Sequence, residues 1–133
     1  MTLYVDTSVL LKRYVDEVDS ERALELLSSD PELVIGRHAI VEVRRNLARL
    51  LAGTGASAAR AAFATDLASF SIIELDASTC EIAATIAEQT GVRTLDALHL
   101  GAARRLGTAL TFATFDVRQA QAARSLGFAV AEA

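Results

Sequence analysis

Four acidic residues stand where their carboxylates could act together. Asp6 and Asp116 each end a short apolar run of the kind that forms a buried strand. Glu42 interrupts an apolar helical stripe, and Asp96 lies in the first turn of another helical pattern. Two like charges about 4 Å apart repel by about 4 kcal/mol at an effective dielectric near 20, so converging carboxylates raise their pKa values or recruit a cation. If the fold gathers these four acids, they form a site for Mg²⁺ or Mn²⁺, which prefer oxygen ligands.

Each acid also has an ordinary structural explanation. Aspartate is a favoured helix N-cap, and Asp6 and Asp116 both precede helical patterns. An acid in a first turn, such as Asp96, complements the helix dipole, and Glu42 could belong to an exposed ion pair on its helix. These explanations stay open for each residue alone. Taken together, the four acids favour a shared metal site over separate structural roles, because two strand-end acids and two helix acids can reach one crevice without a special loop.

Other acidic-pocket chemistries fit the residues less well. A phosphatase with an aspartyl nucleophile usually has a second acid two residues after the first, where this chain has Ser8. A phosphate-accepting receiver domain needs a lysine near the last strands, and the single lysine is Lys12. No glycine-rich Walker or dinucleotide loop occurs. His38 and His99 are not expected to be direct metal ligands, and a partly buried, hydrogen-bonded ring is expected for His99. A phosphotransfer domain remains a third interpretation.

Short apolar runs alternate with helical patterns along the whole sequence, which is typical of a parallel sheet covered by helices on both faces. The predicted fold class is therefore α/β, with a central, mostly parallel sheet of about five strands flanked by helices. The predicted strands are 3–5, 33–35, 72–75, 110–115 and 128–130. In open parallel sheets, ligands bind beyond the carboxyl ends of the strands, which is where Asp6 and Asp116 lie.

Two apolar stripes at helical spacing predict helices that face the core. One stripe is Ala59, Phe63, Leu67 and Phe70, and the other is Leu95, Leu98, Ala102 and Leu106. Asp30 and Pro31 predict a turn before the second strand. Because no repeat, linker or low-complexity tract occurs, residues 1–133 are expected to form a single domain.

The bulk composition argues against several protein classes. No run approaches the roughly 18 apolar residues that span a bilayer, and Asp6 interrupts the first segment far short of a signal peptide's apolar region. The single cysteine, Cys80, leaves no internal disulfide, which favours a reducing compartment. A cytoplasmic protein with no membrane partner is therefore expected. The net charge of -4 argues against a simple nucleic-acid-binding module, so affinity for a phosphate polymer must come from local chemistry.

Four segments of the sequence, in order, resemble the PIN domain family. They are residues 3–10 with Asp6, the helix around Glu42, residues 93–100 with Asp96, and residues 111–116 ending in Asp116. The resemblance covers essentially the whole length, and more narrowly the chain is similar to the VapC-type toxins of VapBC toxin–antitoxin pairs. There is one departure, because family members often carry Ser or Thr at the end of the second strand and this chain has Gly36, Arg37 and His38. The departure bears on a polar contact at that side of the pocket.

The resemblance implies a metal-dependent endoribonuclease that is the toxin of a type II toxin–antitoxin pair. Asp6, Asp96 and Asp116 would bind Mg²⁺ or Mn²⁺ directly or through water, and Glu42 would act through water. Thr7, Ser8 and Thr114 match family hydroxyls that contact the metal ligands or the substrate. Cleavage by metal-activated water implies 5′-phosphate and 3′-hydroxyl ends. The implied partners are an RNA substrate, a VapB-type antitoxin that covers the active site, and a second copy of the chain in a homodimer.

The alternative is a non-catalytic PIN-like module that binds RNA or protein, in which the acids serve only as caps and ion pairs. An antitoxin helix could dock in an apolar groove between the first helices. Leu10, Leu11, Leu24 and Leu27 would line that groove. A core position for these leucines is the favoured interpretation.

Overall fold

The computed structural model describes residues 2–28 and 32–131. Its strands are β1 (Thr2–Val5), β2 (Glu32–Gly36), β3 (Ser71–Ile73), β4 (Thr111–Ala113) and β5 (Ala129–Ala131). They form one sheet in the order β3-β2-β1-β4-β5, and every neighbouring pair is parallel. The prediction of an α/β domain with a mostly parallel sheet of about five strands is therefore confirmed.

Seven α-helices flank the sheet within the described residues. They are α1 (Thr7–Leu10), α2 (Ser20–Ser28), α3 (His38–Leu50), α4 (Gly53–Leu67), α5 (Ala77–Thr90), α6 (Thr94–Arg104) and α7 (Val117–Ser125), with a 3₁₀ turn at Leu11–Arg13. None of these described helices is long and apolar enough to cross a bilayer.

The central strand β1 is buried on both faces, as expected for a parallel sheet between two layers of helices. Side chains alternate along a strand, so Leu3 and Val5 point to one face and Tyr4 points to the other. The first face packs on α1 to α4 through residues such as Val43. The second face packs on α5 to α7 through residues such as Leu100. The sheet therefore separates two apolar cores.

The predicted strands coincide with the observed ones, but their ends differ. The predicted runs 3–5 and 33–35 lie inside β1 and β2. The strand predicted at 72–75 is one residue earlier and shorter, the run 110–115 is a strand only over Thr111–Ala113, and β5 begins one residue late. Hydrogen bonds to the neighbouring strand set these ends, and apolar periodicity does not report them. The turn predicted at Asp30 and Pro31 lies outside the described residues.

The apolar stripe predicted for α6 is partly wrong. Leu95 is 49% exposed and Leu106 is 46% exposed, so neither belongs to the core. The buried face instead includes Ala97, Leu100 and Gly101. This face packs closely on α5, which favours small side chains at the contact. The pattern of large apolar residues in the sequence therefore does not predict which face of α6 is buried.

Gly101 marks the close approach of α6 to α5. A Cβ added to it would lie 2.8 Å from the Ala83 Cβ and 3.0 Å from the Ala83 Cα. Because backbone must shift to relieve this overlap, Gly101→Ala is expected to lower the free energy of unfolding by about 1–3 kcal/mol, measured by urea denaturation. Gly55→Ala in α4 is the matched control, since a Cβ there meets no heavy atom within 4 Å. Equal effects at both positions would contradict the packing argument.

The four leucines considered for a docking groove divide between core and surface. Leu10 is fully buried and Leu27 is 5% exposed, while Leu11 packs against the same core. Leu24 is 48% exposed. The favoured core position is confirmed for all of them except Leu24.

Candidate active site

The order of the strands reverses between β1 and β4. The chain adds β2 and β3 on one side of β1, and β4 and β5 on the other. Such a reversal opens a crevice at the carboxyl edge, because the following helices diverge to opposite faces. Asp6 directly follows β1 and Asp116 follows β4. Val5 pairs with Ala113, and the Asp6 N–H donates to the Ala113 carbonyl at 3.1 Å, so both acids start at the same edge.

Asp6 is the N-cap of α1 and is only 4% exposed. Its Oδ1 accepts hydrogen bonds from the Ser8 N–H at 3.0 Å, the Ser8 hydroxyl at 2.6 Å and the Val9 N–H at 3.3 Å. Its Oδ2 accepts from the Thr114 hydroxyl at 2.5 Å. Burial raises the pKa of Asp6, and the nearby His99 and these hydrogen bonds offset only part of the shift. The charged carboxylate would therefore gain from a cation nearby.

Thr114 connects Asp6 with Asp116. Its buried hydroxyl donates to Asp6 Oδ2 and accepts from the Asp116 N–H at 3.0 Å. Asp116 is the N-cap of α7, where its Oδ1 accepts from the N–H groups of Arg118 at 2.9 Å and Gln119 at 3.1 Å. The expected capping roles of both aspartates are thus observed. They do not exclude a metal role, because the described capping bonds to Asp116 use only Oδ1.

Arg93 lies between Asp96 and Asp116. Its Nε is 3.4 Å from Asp96 Oδ2, and its Nη2 is 3.5 Å from Asp116 Oδ2. The Arg93 side chain is 78% exposed, so these ion pairs are weak. The Gln119 amide donates to the Asp96 backbone carbonyl at 3.2 Å and fixes the start of α6 against α7. A cation thus already bridges two of the predicted carboxylates, in a cavity of about 180 Å³.

Glu42 reaches the site from the first turns of α3 and is half-buried. Its Oε1 accepts from the Thr7 hydroxyl at 2.8 Å and lies 2.8 Å from His99 Nε2. Burial raises the pKa of Glu42, but the contacts with His99 and Thr7 outweigh it, so the pKa lies below its usual value. Glu42 therefore stays ionised beside Asp6. Thr7 is the next residue after Asp6, so it joins Glu42 to the same edge.

His99 is buried and hydrogen-bonded, as predicted. Its Nδ1 lies 2.8 Å from the Tyr4 hydroxyl, and its Nε2 faces Glu42. A carboxylate can only accept, so in the neutral ring Nε2 carries the proton and Nδ1 accepts from Tyr4. Burial, followed by the charge of Asp6, raises the pKa of Tyr4, which keeps this phenol protonated. Sequence reasoning did not single out Tyr4, because its position on β1 marks it only as a core residue.

His38 lies beside His99 and behaves differently. The two ring centroids are 4.0 Å apart, and His38 Nε2 is 3.9 Å from Glu42 Oε1. Neither ring nitrogen of His38 has a hydrogen-bond partner among the described residues. Burial, followed by the electrostatic effect of the neighbouring His99, lowers the pKa of His38 to about 4. His38 is therefore a neutral, buried ring at neutral pH.

Gly36 explains why β2 ends without a hydroxyl residue. A Cβ on Gly36 would lie 2.6 Å from His38 Cε1 and 2.9 Å from the Tyr4 hydroxyl oxygen. The His38 ring and Tyr4 thus occupy the space that a Ser or Thr side chain would need. Arg37 points away from this pocket and forms an ion pair with Glu74. On this side of the site, where family members often have a Ser or Thr hydroxyl, the polar groups next to Glu42 are the rings of His99 and His38.

The four predicted acids lie along one continuous chain of contacts. It runs from Glu42 by a hydrogen bond to Thr7, which is the chain neighbour of Asp6, then from Asp6 through Thr114 to Asp116, and through Arg93 to Asp96. The acids do not form a closed cage: within the described residues, the group whose ligating atoms all lie within 4.8 Å is His38, Glu42 and His99. Widely spaced carboxylates suit Mg²⁺, which usually keeps several waters. The donor set therefore fits a hard divalent cation.

Comparison with known proteins agrees with this architecture. A family model described as the PIN domain matches residues 3–125. Ribonuclease VapC46 of Mycobacterium tuberculosis is 34% identical over 129 residues, covering 96% of this chain and 95% of that protein. The crystal structure of FitAcB from Neisseria gonorrhoeae is similar with a TM-score of 0.77 at 24% identity, covering 96% of this chain and 95% of that one.

A toxin-antitoxin complex from Klebsiella pneumoniae has the same fold, with a TM-score of 0.67 at 19% identity and coverage of 90% of this chain and 89% of that one. The family match spans nearly all of the strands and helices that position the acids. The chain therefore belongs to the PIN domain family, in the group that includes VapC proteins.

Proposed function

We propose that this chain is a metal-dependent endoribonuclease and the toxin component of a toxin–antitoxin pair, with residues 1–133 acting as one domain. The observation that carries the proposal is the chain of contacts linking Glu42, Asp6, Asp116 and Asp96 at the carboxyl edge of β1 and β4. The PIN family membership and the 34% identity to a ribonuclease support the same function.

Asp6, Asp96 and Asp116 would hold Mg²⁺ or Mn²⁺, and Glu42 would act through water. When bound, the ion supplies a Lewis acid that lowers the pKa of water and offsets negative charge on the phosphodiester. Arg93 between Asp96 and Asp116 indicates that a positive charge is favoured there. Since the chain carries a net charge of -4, its acidic edge would otherwise repel a polyanion.

The chain's own residues fix the orientation of the acids before substrate binds. Ser8 and Thr114 hold the two oxygens of Asp6, and Thr7 holds Oε1 of Glu42. Carboxylates that are already oriented need no reorganisation as the reaction proceeds. The guanidinium of Arg93, once released from its two acids, would bind a phosphate of the substrate through its planar donors.

RNA is the proposed substrate, and cleavage of cellular RNA would place the protein in the cytoplasm. A VapB-type antitoxin is the proposed partner, and a toxin–antitoxin complex among the solved structures with this fold supports it. We also propose that the chain forms a homodimer, as the family resemblance implied. An arginine of the antitoxin would compete with the metal for the acids in the way that Arg93 already pairs with them.

A non-catalytic PIN-like binding module is the second candidate, and the caps favour it to a limited extent. Asp6 and Asp116 both cap helices, so each has a structural role without any metal. Calorimetric titration with Mn²⁺ separates the two candidates. A nuclease binds Mn²⁺ at a specific site that Asp96→Asn weakens, whereas acids that serve only as caps and ion pairs give no specific binding.

The direct test of the proposed function is to map the ends of cleaved RNA. The purified chain is incubated with RNA and Mn²⁺, and the products are sequenced with and without phosphatase treatment. Attack by water is expected to leave 5′-phosphate and 3′-hydroxyl ends. Ends carrying a 2′,3′-cyclic phosphate would contradict the mechanism, because they require the 2′-hydroxyl as nucleophile. Absence of cleavage together with absence of Mn²⁺ binding would favour the binding module.

Thr7→Val is expected to lower RNA cleavage by about 10- to 100-fold, which is the usual cost of losing a residue that orients a metal-site carboxylate. The change removes the hydrogen bond to Glu42 Oε1 and keeps the side-chain volume. The rate is measured at saturating Mn²⁺. Thr65→Val is the matched control, because Thr65 is exposed on α4 and, among the residues that the structure describes, its hydroxyl donates to the Ala61 carbonyl of its own helix. An unchanged cleavage rate in Thr7→Val would contradict the prediction that this hydrogen bond orients the Glu42 carboxylate for activity.

A further inference from the structure

The histidine pair beside Glu42 has no use in the function proposed above. His38 and Glu42 lie four residues apart on one face of α3, and His99 approaches from α6. His99 Nε2 is 2.8 Å and His38 Nε2 is 3.9 Å from Glu42 Oε1. One ligating atom from each of the three residues lies within 4.8 Å of the others. Two imidazoles and a carboxylate thus converge on one point.

His38 supplies a second observation that points to a ligand. The residue is 7% exposed, yet neither of its ring nitrogens makes a hydrogen bond of normal geometry among the described residues; the Leu95 backbone is near enough to raise its pKa slightly but not to satisfy the ring. Buried polar atoms are nearly always paired, so an orphaned ring at the centre of a polar cluster needs an explanation. Gly36 adds to this, because its missing Cβ leaves the space that the His38 ring occupies. The packing around His38 therefore fixes the position of the ring but leaves its nitrogens without hydrogen bonds.

We propose that His38, Glu42 and His99 form a binding site for a transition-metal dication of the Zn²⁺ class, which shares only Glu42 with the four acids of the carboxyl edge. Two imidazole nitrogens and one carboxylate oxygen, with a fourth position left for water, are a known ligand set for Zn²⁺. Mg²⁺ prefers oxygen ligands alone, so the histidines discriminate against it. The two sites therefore differ in the class of ion that each selects.

The residues around the cluster suit such a site. The Tyr4 hydroxyl lies 2.8 Å from His99 Nδ1, so that nitrogen is engaged and Nε2 is the one directed at Glu42. Metal-binding histidines usually make this kind of hydrogen bond through the second ring nitrogen. Thr7 holds the carboxylate of Glu42 from the other side. On metal binding the proton of His99 moves from Nε2 to Nδ1, so that Nε2 becomes a free ligand atom and Nδ1 donates to the Tyr4 oxygen.

Glu42 belongs to both sites, which gives the inference a consequence for activity. An ion held by the histidines takes the Glu42 carboxylate away from the acidic edge. If the proposed nuclease function is correct, Zn²⁺ should therefore inhibit cleavage that is supported by Mg²⁺. This consequence rests on the proposed function, whereas binding of Zn²⁺ does not.

Binding is tested on the full chain without RNA. Zn²⁺ alone is titrated by calorimetry into the wild type, His38→Gln and Asp116→Asn, with circular dichroism to establish that each variant is folded. The wild type is expected to bind one equivalent, His38→Gln to bind at least about tenfold more weakly, and Asp116→Asn to bind like the wild type. No binding by the wild type, equal binding by His38→Gln, or loss of binding in Asp116→Asn would each overturn the site.

Co²⁺ gives a test that needs no variant. Titrated alone into the wild type, it is expected to produce the intense visible absorption of a four-coordinate site with nitrogen ligands, and Zn²⁺ should remove that band. The faint absorption of a six-coordinate oxygen site would overturn the proposal. Inhibition of RNA cleavage by Zn²⁺ that is relieved in His38→Gln would extend it. An enzyme that binds Zn²⁺ but cleaves no RNA would instead count against the proposed function and leave the metal site standing.

Discussion

Removal of divalent cations is expected to abolish RNA cleavage by this protein. Ionised carboxylates at the carboxyl edge repel a phosphodiester, and the single charge of Arg93, which also faces Asp96 and Asp116, is too small to offset them without a cation. Loss of a metal's several kcal/mol of transition-state stabilisation corresponds to a rate at least about a thousandfold lower, since each 1.36 kcal/mol is about tenfold.

The measurement compares cleavage rates before and after dialysis against EDTA, and again after addition of Mn²⁺. EDTA already saturated with Mg²⁺ is the control, because it tests for effects of the chelator other than metal removal. Activity that survives complete chelation would contradict a metal-dependent mechanism. Recovery with Mn²⁺ but not with Ca²⁺ would be consistent with a site that demands small-ion geometry.

Asp6→Asn is expected to remove most of the activity while stabilising the metal-free fold. The amide keeps the N-cap oxygen but lacks the charge that holds a cation, so cleavage should fall about a thousandfold. Because burial raises the pKa of Asp6, its ionised form is penalised in the folded state. The amide cannot accept the hydrogen bond that Thr114 donates to Asp6 Oδ2, which offsets part of the gain, so the free energy of unfolding without metal is expected to rise by up to about 1 kcal/mol. Stability is measured by urea denaturation and activity by cleavage rate.

The pH dependence of this stabilisation has a defined sign. The pKa of Asp6 is higher in the folded than in the unfolded protein, so the penalty is fully present above the folded pKa. It shrinks as pH falls through the folded pKa and is lost below the unfolded value of about 3.9, because both states are then protonated. The gain from Asp6→Asn should therefore be present at pH 7 and shrink toward zero at low pH. A gain that grows with acidity would contradict the assignment.

Asp76→Asn is the matched control for Asp6→Asn. Asp76 is also a helix N-cap, but it is exposed and its side chain contacts Thr79 and Arg105, not the four acids. The same chemical change there should leave the cleavage rate unchanged. Saturating Mn²⁺ adds a further distinction, because it should stabilise the wild type by about 2.7 kcal/mol at a hundred times its Kd and stabilise Asp6→Asn much less.

Local sequence was enough to predict the strands that carry the aspartates. The apolar run 3–5 followed by Asp6 reads as a buried strand with a helix cap after it, and both features occur in the structure. Asp116 was predicted in the same way and caps α7. These signals are short-range: a strand's apolar pattern and a cap's side-chain oxygen depend on residues within a few positions of each other.

The same reasoning failed where the determining contact lies far away in the chain. Leu95 and Leu106 looked like core residues of one helix, but α6 turns its small residues toward α5 and ends at Arg104, so Leu95 and, in the turn beyond the helix, Leu106 are half exposed. The sequence showed that Gly36 stands where family members often carry Ser or Thr, but it did not show why: the His38 ring and the Tyr4 hydroxyl occupy the space that a side chain would need. Neither the packing of α6 on α5 nor the side chains next to Gly36 can be predicted from a short stretch of sequence.

By itself, the sequence determined the fold class and the sheet edge that carries Asp6 and Asp116; that four acids share one cation stays a prediction. Only the tertiary structure decided how they are linked and what surrounds them. Tyr4 and His99 are 95 residues apart in the chain, and Thr114 reaches Asp6 across 108 residues. Such contacts depend on the order and register of the strands, which fix side-chain distances that no spacing along the chain encodes.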